Sequence, residues 1–301
     1  MYSIIVPLFN HARFIERTLS SALEQTCAAR EIIVIDDGST DNSAEKAAQF
    51  AQRDSRILFW RQANRGAHAA INAGLYRATS EIVTILNSDD IYEPHRMEVA
   101  IRRLAADKSV AAVATELSSI DEHDRHIANP WYENSLKKGL ASDDMAIALL
   151  DANYFVTTSN LVFRRTVFDR IGGFYQLRYA HDLEFFTRML HAGFKIEFLK
   201  QSLLKYRVHS ANTIKEGQHK VRVEWAAIIA WNMTRIICGA SNAGLEFMRL
   251  QRMLRIIEVH NLGKLVQWMS LVCEWAMQRG VSIFELAEWP KLAKQALEIE
   301  E

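Results

Sequence analysis

Two pairs of adjacent aspartates, Asp36–Asp37 and Asp89–Asp90, stand where short apolar runs stop, in "EIIVIDD" and "IVTILNSDD". Neighbouring carboxylates repel, and two such pairs at successive strand ends crowd one edge with negative charge. Arg65, in "NRGAHAAIN", falls beside them. A rim of acids alone would reject a phosphate-bearing ligand. A divalent cation removes the conflict, because carboxylates and a diphosphate can share it, and hard oxygen ligands suit Mg2+ or Mn2+. Either pair alone also reads as a solvated turn; the repetition is what points to a site.

Such an edge has to be built by a sheet. Short β-branched runs occur at 3–7, 31–35, 56–60, 81–86 and 110–115. Between them lie stretches with helical spacing, one carrying Phe14, Ile15, Leu19 and Leu23, another Ala67, Ala70, Ile71, Gly74 and Leu75. Strands alternating with helices imply βαβ units and a parallel sheet. The unbroken "IIVI" fits a strand covered on both faces. Ligands of open parallel sheets bind outside the carboxyl ends of the strands, where both aspartate pairs fall. Asn42, three residues before Glu45, predicts a capping box, and Pro94 predicts a place in the first turn of the following helix.

From about 116 to 212 the pattern is less regular, with a strand and a Gly-Gly break in "NLVFRRTVFDRIGGF", a helix in "AHDLEFFTRMLHAGF" and strand character in "KIEFLKQSLLKYRVH". Beyond 213 helical spacing dominates, and five of the seven tryptophans (Trp225, Trp231, Trp268, Trp275, Trp289) lie there. The sequence thus reads as an α/β domain with an all-helical C-terminal extension. The tail's apolar faces suit core packing or a homodimer, with contact to a membrane holding a lipid-linked acceptor as the other reading.

The 301 residues carry 36 lysines and arginines against 36 aspartates and glutamates, so a general electrostatic grip on nucleic acid is not expected. Apolar residues make up 49%, and 4 prolines and 12 glycines argue against disorder. Three scattered cysteines, with no CxxC pair, point to a reducing compartment and away from a disulfide framework or zinc site. No run approaches the ~20 apolar residues of a membrane span, and the N-terminal apolar run lacks a basic leader. The expectation is a cytoplasmic protein, with peripheral contact at the inner membrane face left open.

Taken in order, "SIIVPLFN", "EIIVIDDGSTDNS", "NRGAHAAINAGL" and "ILNSDD" resemble the family 2 glycosyltransferases. The resemblance covers roughly residues 2–212 and implies a GT-A fold, a Rossmann-like, mostly parallel sheet flanked by helices. It implies a nucleotide-sugar half over 1–115, an acceptor half over 116–212, and 213–301 as the helical extension. It also implies an inverting transfer, from a donor that is usually UDP-linked, to a hydroxyl of a glycan or lipid-linked acceptor. Position by position, Pro7, Phe9 and Asn10 match the family's base-pocket segment, with Phe9 replacing a tyrosine. Asp37 matches the nucleobase-binding aspartate, and Asp36 its structural neighbour. Arg65 falls where a basic residue approaches the nucleotide; a later family arginine is missing, since Ala70 and Ile71 precede Asn72.

Ser88 and Asp89 match the donor and metal-binding end of the family's DxD motif, with Asp90 just behind. Asn87 stands where the family often has the first Asp, so metal binding is expected to be weaker, and Asn87→Asp to tighten it. "YAHDLEFFTRM" resembles the family's helix-opening motif, which makes Asp182 the candidate general base and His181 an acceptor-orienting residue. "YRVHSANT" matches a stretch whose histidine, here His209, reaches the metal or diphosphate with Arg207 in support. A nucleotide-sugar binding protein on a decayed transferase fold is the alternative, for which Asn87 speaks. A nucleotidyltransferase would need a glycine-rich loop after the first strand, and "PLFNHARF" has no glycine.

Overall fold

The computed structural model describes residues 1–239 and 243–300, and the chain divides into two compact units. The first comprises 1–134, 155–174 and 188–209; the second comprises 135–154, 175–187 and the chain from 210 onward.

The first unit is a sheet with, among the described residues, nine strands: β1 (Tyr2–Leu8), β2 (Glu31–Asp36), β3 (Ile57–Arg61), β4 (Ile82–Ile85), β5 (Ile91–Tyr92), β6 (Val110–Ile120), β7 (His126–Ile127), β8 (Val162–Arg164) and β9 (Lys195–Arg207). Their order is β3-β2-β1-β4-β8-β6-β9-β5, with β7 attached to β6. The β3-β2-β1-β4 half is parallel, as the alternation of strands and helices predicts. Beyond it direction alternates: β8 lies antiparallel to both β4 and β6, and β6 pairs in parallel with β9 through a ladder broken by register shifts. The one-residue shifts at Val110/Ala112 and Glu116/Leu117 change which side chains of β6 and β9 share a face.

Strands β1 and β2 are buried along their whole length. Helices Ile15–Leu23, Ser43–Arg53, Ala67–Arg77 and Arg96–Ala106 link the strands of this half. The third of these approaches β1 very closely at Gly74, where an added Cβ would stand 2.3 Å from Ile5 Cγ2.

Two local expectations are corrected. Asn42 caps no backbone N–H of the helix Ser43–Arg53. Asp41 does so instead, its carboxylate accepting from the Ser43 N–H at 3.0 Å and from the Ser43 hydroxyl. Pro94 precedes the helix Arg96–Ala106 and sits inside the turn closed by Arg96 N–H to the Glu93 carbonyl, 3.0 Å.

The second unit is helical. Helices Met145–Asp151, Gln218–Gly239, Ala243–Val259, Gly263–Gln278 and Trp289–Glu300 surround a core that includes Ile229, Met253, Leu265, Met269, Cys273 and Trp289. Of the five tail tryptophans Trp289 is buried, and Trp225, Trp231, Trp268 and Trp275 are half-buried. The Trp225 indole N–H donates to the Leu150 carbonyl at 2.8 Å, which fastens the extension to the 145–151 helix. Among the described residues no helix is long and apolar enough to cross a membrane.

Candidate active site

Strand β4 delivers Asp89 and Asp90 to its carboxyl end, where both are buried. Their mutual repulsion is settled by opposite surroundings. Burial works to raise Asp89, but the charge of His11 and a hydrogen bond from His209 outweigh it and hold this carboxyl below its ordinary value. Burial, and then the charge of Asp89, push Asp90 up to about 8, only partly offset by its bonds from the Ser159 hydroxyl, 2.6 Å, and the Arg207 N–H, 3.0 Å. These opposite surroundings favour the charge on Asp89 over Asp90.

Asp89 is one corner of a cluster. His209 Nε2 lies 3.0 Å from Asp89 Oδ2. His11 follows β1, and its Nδ1 pairs with the Ser88 hydroxyl at 2.8 Å. One ligand atom each of His11, Asp89 and His209 lies within 4.8 Å of the others. The Phe14 ring supports the His209 imidazole at 4.9 Å. Arg207, buried two residues before His209, donates from Nε to the Asp89 carbonyl and from Nη1 to the Asp121 carbonyl, both at 2.7 Å. Its guanidinium also covers the Phe14 ring, 4.8 Å away. Arg207 thereby fixes the backbone that presents Asp89. Two imidazoles and one ionised carboxylate at this spacing fit a divalent cation. His11 was not singled out from the sequence. The available signal was its position just past strand 1, beside the end of strand 4.

Asn87 serves the wall of this cluster. Its amide N–H donates to Thr157 Oγ1 at 2.9 Å, its carbonyl accepts from Thr158 Oγ1 at 3.0 Å, and its backbone N–H donates to Ser159 Oγ at 2.9 Å. The turn it grips is the one that holds Asp90. An aspartate at 87 could accept these bonds but not donate to Thr157, which gives the uncharged amide a structural reason.

At the ends of β1 and β2 the other acids are spent on loops. Asp37 accepts from Gln62 Nε2 at 2.7 Å, Arg65 N at 3.0 Å and Gly66 N at 2.7 Å, so it shapes the loop that carries the exposed Arg65. Asp36 is buried against Arg61, 3.0 Å away. Gly38, at φ +77°, passes so close to Asn64 that a Cβ would meet its backbone nitrogen at 2.9 Å. Pro7 is buried in β1, while Phe9 is exposed just beyond it. Asn10 adopts φ +53° and accepts from the Thr40 N–H at 2.8 Å. Asn72, at the missing-arginine stretch, clamps both the N–H and carbonyl of Phe174 at 2.8 Å.

Asp182 belongs to the second unit and opens the helix His181–His191. Its Oδ2 accepts from Asn153 Nδ2 at 2.9 Å and its Oδ1 from the Leu183 N–H at 2.7 Å. Burial raises it to about 6; the two donors oppose the rise and the charge of Glu224 adds to it. A carboxylate with that proton affinity is matched to taking a proton near neutral pH. His181 is half-buried, and Glu184 is buried.

The family model for glycosyl transferase family 2 matches residues 3–172. An uncharacterized glycosyltransferase of Nostoc sp. is 33% identical over 218 residues, which cover 70% of this chain and 65% of that protein. The glycosyltransferase GlyG of Streptococcus pneumoniae is 26% identical over 257 residues, 82% of each chain. Among solved structures, residues 1–349 of S. aureus TarS in complex with UDP superpose with a TM-score of 0.63 at 16% identity, covering 99% of this chain and 88% of that one. The α/β fold with its helical C-terminal region is therefore shared with TarS.

Proposed function

Because this chain belongs to glycosyl transferase family 2, we propose that it transfers a sugar from a nucleotide-diphosphate sugar, UDP-linked, to a hydroxyl of a glycan or lipid-linked acceptor, as in surface polysaccharide synthesis. The observation that carries the reading is the convergence of His11, Asp89 and His209 at the carboxyl edge of the sheet. TarS has been solved with UDP and with UDP-GlcNAc, which supports a donor of that class. The transferase occupies 1–212 on this reading, donor half 1–115 and acceptor half 116–212, with 213–301 as its extension.

The roles follow from the side chains. Pro7, Phe9 and Asn10 take the base, with Asp37 and the loop it shapes, while Arg65 and Ser88 face the donor. His11, Asp89 and His209 would hold Mn2+ or Mg2+, which when bound offsets the charge growing on the departing nucleoside diphosphate. The acceptor oxygen attacks the anomeric carbon on the face opposite the leaving group, so its configuration inverts. As the bond to the diphosphate oxygen breaks, the acceptor proton passes to Asp182. Asp90 and Asn87 keep Asp89 in place through the 157–159 turn, Arg207 through its backbone, and His181 lies beside the base.

A panel of nucleotide sugars, followed by release of the nucleoside diphosphate with Mn2+ present, tests the reading. Release from a UDP-sugar supports it. Tight nucleotide binding with no turnover on any donor favours the decayed binding protein, for which the uncharged Asn87 is the argument.

A further inference from the structure

The helix Gln218–Gly239 lies outside the residues matched by the family model, yet one of its side chains reaches the segment that carries Asp182. Glu224 is buried, and its carboxylate accepts three consecutive backbone N–H groups: Arg178 at 2.8 Å on one oxygen, Tyr179 at 2.7 Å and Ala180 at 2.9 Å on the other. These are the residues just before His181 and Asp182. Their N–H groups would otherwise be orphaned in the approach to a helix N-terminus.

A second glutamate of the extension grips the same segment from outside. Glu216 takes Arg178 Nε at 2.7 Å and Nη2 at 2.6 Å, a two-pronged pair. The turn that presents Asp182 is thus held by two side chains that follow it in sequence by about 40 residues.

We propose that Glu224 is a positioning residue for Asp182, holding the 178–180 turn so that the Asp182 carboxyl is fixed. The C-terminal extension would then be a working part of the catalytic apparatus. This rests on the reading of Asp182 as the base. Donors on both oxygens are what an ionised Glu224 carboxylate requires, although burial, opposed by the three N–H groups and Arg178, leaves its own proton affinity raised. Glu224 on the packed helix acts on Asp182 through its charge; His181 and Glu184 share the first turn of its helix, and Arg178 and Tyr179 stand just ahead in the chain. Asn153, which donates to it, does not titrate.

The test uses the full chain with selectively 13C-carboxyl-labelled aspartate, the Asp182 signal being assigned by its loss in Asp182→Asn. In the wild type that signal should titrate at about 6. In Glu224→Gln a negative charge is gone and one oxygen becomes a donor, so the midpoint falls below that of the wild type, while burial, the larger cause, still holds it above the ordinary carboxylate range. Turnover of the best UDP-sugar of the panel then falls by ~10- to 100-fold, as expected for a misplaced base, with KM for the donor unchanged. In the Asp182→Asn background the same substitution has no further effect on turnover. Glu224→Asp keeps the charge while shortening the reach, so it lowers turnover without lowering the midpoint, and it serves if Glu224→Gln does not fold. An unchanged midpoint in Glu224→Gln, or an equal loss of turnover in both backgrounds, overturns the proposal. Near-normal turnover of Asp182→Asn alone removes the base reading instead, so the two failures are distinguishable.

Discussion

His209 Nε2 lies 3.0 Å from Asp89 Oδ2 although 120 residues separate them, and His11 completes the cluster from a third part of the chain. Removing any one ligand leaves two, too few to retain a weakly held divalent cation. Asp89→Ala, His209→Ala and His11→Ala should each lower Mn2+ affinity of the nucleotide-free protein by at least ~10-fold, read by electron paramagnetic resonance of free Mn2+. If His11→Ala binds Mn2+ as the wild type does, His11 serves only to pair with Ser88.

If Asp182 is the base, its proton affinity sets the acid limb of activity. A protonated Asp182 cannot accept the acceptor proton, so turnover should fall as pH drops through about 6 and level off above it. Asp182→Asn should cut turnover by ~10²–10⁴-fold and leave UDP affinity near normal. A pH–rate profile flat from 5 to 8 would set Asp182 aside.

At position 87 two effects oppose. An added carboxylate would supply another oxygen near the cluster, the effect expected from sequence. It would also lose the N–H donated to Thr157 and add charge beside Asp89. The lost bond costs ~1–3 kcal/mol. Asn87→Asp should therefore melt earlier than the wild type without Mn2+, with the gap narrowing when Mn2+ is added. Equal melting temperatures without metal would show that the amide is not structural.

Gly74 gives a test of packing free of the site. Alanine would gain about 1 kcal/mol in helix propensity, but its methyl would stand 2.3 Å from Ile5 Cγ2. Overpacking costs ~1–3 kcal/mol, and the neighbour is a buried, β-branched side chain of a central strand with little room to yield. Urea denaturation should show Gly74→Ala destabilised, against the propensity scale; a midpoint at or above the wild type would contradict this.

The parallel half of the sheet was legible because its strands are buried on both faces and their apolar runs are continuous. Strands β5 and β7 are two residues each and leave no period to read. Asp89 and His209 were visible through their motifs. His11 was not, because nothing local distinguishes a histidine in a turn from one facing a site. The 157–159 turn and Glu224 act by contacts 67 to 72 and 44 to 46 residues away, and such contacts follow from tertiary packing. The Asn42 cap failed because Asp41, one residue earlier, offers a charged acceptor to the same helix start.

A cation-bridged site for a nucleoside diphosphate, built on Asp89, couples UDP binding to the metal, and calorimetric titration of UDP into the protein with and without Mn2+ measures that coupling. Mn2+ should strengthen UDP binding by at least ~10-fold, or ~1.4 kcal/mol, and Asp89→Ala should abolish this gain while retaining the metal-free affinity. UDP binding with the same affinity in all four combinations would contradict it.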